Sequence, residues 1–383
     1  LMRQEGFDMW IVICRENNED PVFRSLMPFT TMYASRTSIL VFTDKGPEGI
    51  ERLSVSRAGV GQFYKAAWDP DRTDQWTRLG EIIKERSPKK IGINESDAFN
   101  YGDGITATLK KKLLAAVPAE LQSRIQPAER LAIRWLERRT PDEMEVYPHI
   151  VAIAHAIIAE AFSRTVITPG VTTTDDVVWY FRERSRQLGL TNWFHPTVDI
   201  QRPRDTPYGQ SPVIHRGDLL HCDMGFYYLG LATDQQQLAY VLKPGEKYAP
   251  EGLKAGMAAA NRLQDILLEF MQPGRTGNQV LKDALDKARS EGIDPMVYTH
   301  PLGYHGHGAG PTIGMWDGQG GVSGAGDYEL FDHTAYAVEL NVQQPVPEWN
   351  NQVVMFPLEE DAVLQDGVMQ WLSGRQTEFH LIG

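Results

Sequence analysis

The sequence predicts an α/β amino-terminal domain over residues 1–125, followed by an α+β domain over residues 126–383 with an internal pseudo-twofold duplication. Three observations predict it. Strand-like and helix-like runs alternate between Phe7 and Ala116, as in small α/β domains. Further on, Pro169-Gly170-Val171-Thr172 is echoed by Pro273-Gly274-Arg275-Thr276, and each copy lies between helical patterns. Each copy also leads into strand-forming runs that hold two acids.

Taken in order, Phe7–Cys14 reads as a buried strand. Thr37–Thr43 and Arg52–Ser56 flank Asp44-Lys-Gly-Pro-Glu-Gly49, a turn signal, and so form a hairpin. Trp76–Arg86 is helical, Lys90–Asn94 is a strand and Thr106–Ala116 is helical. Residues 123–139 are charge-rich and read as a linker. Thr140-Pro141-Asp142-Glu143 then joins a capping box to a proline at the first helical position. Behind it, Ile150, Ile153, Ile157 and Ala161 recur at the core-facing period, and Pro148 is expected to kink the early turns. Helices over 144–164 and 250–270 precede the two Pro-Gly turns, and the helices after them end at Gln187-Leu-Gly-Leu190 and Ser290-Glu-Gly-Ile293.

Composition narrows the function. The chain has 383 residues, 42% of them hydrophobic and 23% charged, which is enough for two cores. Its net charge of −12 argues against a nucleic-acid surface and leaves no basic stripe for a lipid surface. Cys14 and Cys222 are the only cysteines, so there is no disulfide framework, and Cys222 reads as a small buried hydrophobe. The most apolar stretch, Ile150–Phe162, is too short to span a bilayer. The cytoplasm is the default compartment, and an upstream segment such as a signal peptide would instead export the protein. Gly318–Gly326 is glycine-rich, but no Lys-Ser/Thr follows it, so it reads as a mobile loop at the rim of a site rather than a phosphate cradle.

The acids carry the chemistry. Asp223 and Asp234 lie within apolar, β-forming runs around a turn signal at Gly230. With a turn at Tyr228-Leu229 they stand directly opposite each other on one face, about 5 Å apart. Such a pair is costly without a cation between its members; the alternative is that they are solvated turn residues. Glu339 and Glu360 repeat the arrangement if their hairpin turns near Trp349-Asn350. Between the pairs runs His300-Pro-Leu-Gly-Tyr-His305-Gly-His307-Gly-Ala-Gly310. Two Asp, one His and two Glu make a hard donor set suited to a pair of Mn²⁺, Co²⁺ or Zn²⁺ ions.

Gly217, Asp218, Asp223, Gly225 and Asp234, then Gly306-His307-Gly308-Ala309-Gly310, Val338-Glu339 and Glu360-Asp361-Ala362-Val363, resemble the ligand motifs of the pita-bread metallopeptidases, which include methionine aminopeptidase, prolidase and aminopeptidase P. The resemblance implies a pita-bread carboxyl-terminal domain behind a creatinase-like amino-terminal domain without metal ligands. It implies Asp223, Asp234, His307, Glu339 and Glu360 as ligands of two divalent ions, manganese first and zinc or cobalt next. It further implies an Xaa-Pro dipeptidase or aminopeptidase that acts on short proline-containing peptides through a metal-bridging hydroxide, with Glu339 as proton carrier, in a homodimer.

The sequence departs from the family at auxiliary positions. A histidine that prolyl-specific relatives carry upstream of the first metal Asp is missing from Asp205-Thr-Pro-Tyr208, a second falls on Gly314, and an Arg is replaced by Leu358. His305 and His195 are the candidates for the missing catalytic groups, and Tyr208 and Trp316 for substrate contacts. Two other readings of the fold are a creatinase-like hydrolase of a non-peptide C–N bond and a non-catalytic binding module.

Overall fold

A computed structural model describes residues 1–57 and 59–383. The chain divides into two compact units, Leu1–Leu136 and Glu137–Gly383.

In the first unit, the apolar run Met9–Arg15 becomes a central strand because both of its faces find cover. It pairs antiparallel with Thr37–Asp44 on one side and parallel with Ile91–Ile93 on the other, within a six-stranded mixed sheet. The helix Gln75–Arg86 starts where Asp74 accepts the Trp76 and Thr77 amides, and the helix Ala107–Ala116 where Thr106 accepts that of Leu109. Their apolar stripes, Leu79, Ile82 and Ile83 with Leu109 and Leu113, pack on Met9, Ile11, Ile13, Ile91 and Ile93.

The segment expected as a linker is structured instead. Ile125–Pro127 pairs with Ile91–Ile93, and Glu129–Glu137 is a helix that buries Leu131, Ala132, Ile133 and Leu136. The unit boundary therefore lies at 136/137 rather than 125/126. The charges that suggested a linker, Arg130 and Arg134, form the outward face of this helix and pair with Glu5.

The second unit is built on a nine-stranded sheet whose longest element is the hairpin Thr334–Val346 with Gln352–Gln365. Gln235–Val241 joins that hairpin to Leu219–Met224, which in turn pairs with Thr197–Gln201. The expected helix pairs are Pro141–Ala161 with Thr174–Gln187 and Glu251–Phe270 with Gly277–Ser290. Capping boxes at Thr140/Glu143, Thr173/Asp176 and Thr276/Gln279 start three of these helices by satisfying exposed amides on both sides of each cap. The first pair packs Ile150, Ala154, Ile157, Val177 and Phe181 against Cys222, Met224 and Ala337. The second packs Leu253, Met257, Leu281 and Leu285 against Tyr336, Val338, Leu340 and Phe356. The duplicated halves thus each pack a helix pair on one shared sheet.

Among the described residues, no helix is long and apolar enough to cross a membrane. The glycine-rich loop is tied down: Asn278 bonds the Val322 carbonyl and amide and the Asp327 carboxylate, and Gln319 bonds both backbone groups of Val297.

Candidate metal centre

Asp223 and Asp234 sit on the first hairpin of the sheet, but its turn is at Leu229-Gly230, one residue later than expected. Both residues have positive φ, 52° and 79°, as a two-residue primed turn requires. Tyr228 therefore pairs with Leu231, and Asp223 stands opposite Gln236 rather than Asp234. Because side chains alternate, Asp234 still shares the face of Gln236 and meets Asp223 on the diagonal.

The second hairpin departs further. Residues 347–351 link Val346 to Gln352, an odd-length connection that pairs Glu339 with Glu359 and Val338 with Glu360. The expected pairing of Glu339 with Glu360 is thus one residue out, and a one-residue slip turns a side chain to the opposite face. Glu360 points away and is fully satisfied there: Gln237 Nε2 and the Gln376 amide donate to it at 2.8 and 2.9 Å, and His155 Nε2 lies 2.6 Å from its other oxygen.

Three overlapping groups converge on the site face: Asp223, Asp234 and Glu359; Asp234, His300 and His307; and His300, Glu339 and Glu359. Within each group the donor atoms all lie within 4.8 Å of one another. Burial pushes the Asp223 carboxyl up to about 6 and that of Glu339 up to about 7. Asp234 and Glu359 are held well above the carboxylate range by burial and by their acidic neighbours. Among the described residues, Asp223 Oδ1, Asp234 Oδ1 and Glu359 Oε1 are buried without a hydrogen-bond partner. Buried acceptors are costly when unmatched, so the donor set fits divalent cations.

Polar neighbours orient these acids. The Gln236 amide nitrogen donates to Glu339 and, at 2.9 Å, to Glu359. Its oxygen meets His221 Nε2 at 2.9 Å, and His221 Nδ1 faces Asp199 at 3.5 Å. Asn341 donates to the Tyr298 hydroxyl, whose pKa is raised first by burial and then by Glu339. Trp193 braces the opposite edge, with its Nε1 donating to the Thr233 carbonyl at 2.9 Å and its ring 5.1 Å edge-on from that of His307.

None of the other expected residues belongs to the three converging groups. His195 is exposed and meets Arg182 and the Trp179 ring. His305 packs edge-on against Tyr304, Tyr208 stacks on His215 at 3.6 Å, and Trp316 is solvent-exposed. Sequence reasoning ranked His300 below His305 and His195 and passed over Glu359, His221, Gln236 and Trp193. Alternation from Asp223 back to His221 and from Asp234 on to Gln236 would have found two of these.

A model of metallopeptidase family M24 matches residues 149–365, which include all six converging side chains. The chain belongs to metallopeptidase family M24. Among solved structures, this M24 chain resembles an X-Pro aminopeptidase from Thermotoga maritima, with a TM-score of 0.68, 18% identity and 99% of each chain covered. It also resembles an Xaa-Pro dipeptidase from Bacillus anthracis, with a TM-score of 0.66, 17% identity and 100% and 97% covered. A prolidase from Pyrococcus furiosus gives a TM-score of 0.62 at 14% identity, with 98% of each chain covered. These likenesses establish the two-domain pita-bread fold. A comparison with curated protein sequences gave no match.

Proposed function

We propose that this M24 chain is an exopeptidase that hydrolyses Xaa-Pro bonds in short peptides with two divalent cations held by Asp223, Asp234, His307, Glu339 and Glu359. The observation that carries the reading is the convergence of buried acids whose free oxygens lack any hydrogen-bond partner among the described residues. Manganese, cobalt and zinc all suit that donor set. When bound, such ions polarise a carbonyl and lower the pKa of water.

The chain's own groups supply the rest. Gln236 aims Glu339, whose carboxylate would take a proton and return it to the leaving amine. The Tyr298 hydroxyl accepts from Asn341, which leaves its proton for a substrate oxygen. Prolyl preference is supported by the layout shared along the whole chain with solved Xaa-Pro peptidases.

The test is metal analysis of the purified protein, then hydrolysis of Ala-Pro, Ala-Pro-Ala and Ala-Ala with and without added Mn²⁺ or Co²⁺. Metal-dependent cleavage of the proline peptides alone is expected. Absence of metal binding overturns the reading, and equal cleavage of Ala-Ala removes the prolyl preference.

A further inference from the structure

We propose that the first unit holds a binding site for a hydrophobic monocarboxylate, a molecule with an apolar body and one carboxylate at its end. The proposal is independent of the metal centre.

The site is a cavity of about 640 Å³ whose lining lies wholly within residues 1–135. Small-molecule sites span roughly 300–1,000 Å³, with mostly apolar walls and a few placed polar groups. The cavity follows from strand alternation. Met9, Ile11 and Ile13 face the helices Gln75–Arg86 and Ala107–Ala116, so Trp10 points to the other side of the sheet. Register sets Trp10 opposite Phe42 and Phe42 opposite Arg52, which makes one cross-strand row on that side. The Trp10 and Phe42 rings stand 5.4 Å apart, and the Tyr64 ring meets Phe42 edge-on at 5.8 Å. Leu131 and Trp135, one turn apart on the helix Glu129–Glu137, complete the wall.

The polar ends of these rings are occupied. Trp10 Nε1 donates to Asn94 Oδ1 at 2.8 Å, Trp135 Nε1 to Ser25 Oγ at 2.8 Å, and the Tyr64 hydroxyl to the Leu26 carbonyl. The rings therefore offer carbon to the cavity, while its charge has one sign. Arg3 and Arg52 line it, and among the described residues no carboxylate does. Arg3 is neutralised by Asp44, whose two oxygens accept from its Nε and Nη2 at 2.7 and 2.6 Å. Arg52 is exposed and forms no ion pair among the described residues.

That pattern selects the ligand. A guanidinium fork meets a carboxylate bidentately, and a hydrocarbon body displaces water that finds few partners against ring faces. An uncharged ligand leaves Arg52 unmatched, and a cation is repelled by it.

The experiment titrates octanoate, phenylpropionate, octanol and octyltrimethylammonium into the full chain carrying isotope-labelled methionine methyl groups. Met2 and Met27 line the cavity, and Met2→Leu and Met27→Leu assign their NMR signals. The same titrations are run on Arg52→Gln and Arg52→Lys, both substitutions of an exposed side chain. The two acids distinguish an aliphatic source of the carboxylate from an aromatic one.

Saturable shifts of the Met2 and Met27 signals are expected with at least one acid, with the methionines of the second unit unmoved. In Arg52→Gln the acid should bind about 5–10-fold more weakly while octanol stays within about 2-fold, and Arg52→Lys should recover part of the loss. Absence of saturable shifts with both acids overturns the proposal, as do shifts spread evenly over the methionines of both units. Equal acid affinity in the wild type and Arg52→Gln overturns it as well.

Discussion

Glu339 and Glu359 stand directly opposite each other across the long hairpin, and the Gln236 amide donates to both. Like charges at that spacing repel, and one oxygen of Glu359 has no hydrogen-bond partner among the described residues. Glu360, one residue further on, has both oxygens bound on the other face. Adjacent glutamates thus face opposite sides of the sheet: one joins the acid cluster and the other ties sheet to helix.

Substitution separates these roles. Glu359→Gln is expected to weaken Mn²⁺ or Co²⁺ binding by more than about 100-fold, beyond the loss typical of a ligand's supporting residues. Glu360→Gln should keep metal binding within about 10-fold but lower unfolding free energy by roughly 1–3 kcal/mol, since it disturbs a buried network. Calorimetric metal titration and urea unfolding read the two effects. Loss of metal binding confined to Glu360→Gln would reverse the assignment.

The metal-free centre also predicts a pH response. Carboxyls held above their usual range bind protons more tightly in the folded chain than in the unfolded one. Their contribution is complete below the ordinary carboxylate pKa and is lost as pH rises through about 6 at Asp223 and about 7 at Glu339. EDTA-treated protein should therefore melt lower at pH 8 than at pH 5.5, and saturating Mn²⁺ should raise Tm more at pH 8. Equal Mn²⁺ shifts at the two pH values would contradict the linkage.

Much of this architecture is legible in the sequence, because caps and alternation are local. Thr140, Thr173 and Thr276 start helices wherever they fall, and Asp223 and Asp234 share a face under either turn register. Hairpin parity is not local: it hangs on whether the Pro347–Asn351 connection is odd or even, and this exchanged Glu360 for Glu359. Strand Ile125–Pro127 was hidden for a similar reason, since three residues have no readable period and their pairing partner lies far upstream.

Asp20 predicts a separate pH effect in the first unit. Burial raises its carboxyl to about 6 although Asn94 donates to both of its oxygens. Folding thus gains from its protonation below about pH 4 and loses that gain as pH climbs through about 6, a change on the order of 3 kcal/mol. Hydrogen exchange of the Met9–Arg15 amides should become faster with pH, beyond its intrinsic pH dependence, across that window. In Asp20→Asn the excess should vanish; its persistence would assign the effect to another group.

The tightest constraint on His307 comes from the residue before it. A Cβ on Gly306 would lie 2.3 Å from Trp193 Cε2, far inside contact distance. The indole has little room to retreat, because its Nε1 is bonded to the Thr233 carbonyl and a Cβ position on Gly225 lies 2.4 Å from the same nitrogen. Gly306→Ala should therefore displace the His307 loop and weaken Co²⁺ binding by about 10–100-fold, the range typical of lost supporting contacts. Trp193→Leu removes the obstructing ring, so the double variant should recover part of that affinity, a coupling that independent sites would not show. Co²⁺ titration of the two single variants and the double variant measures it, and strictly additive losses would mean that Trp193 does not brace the loop.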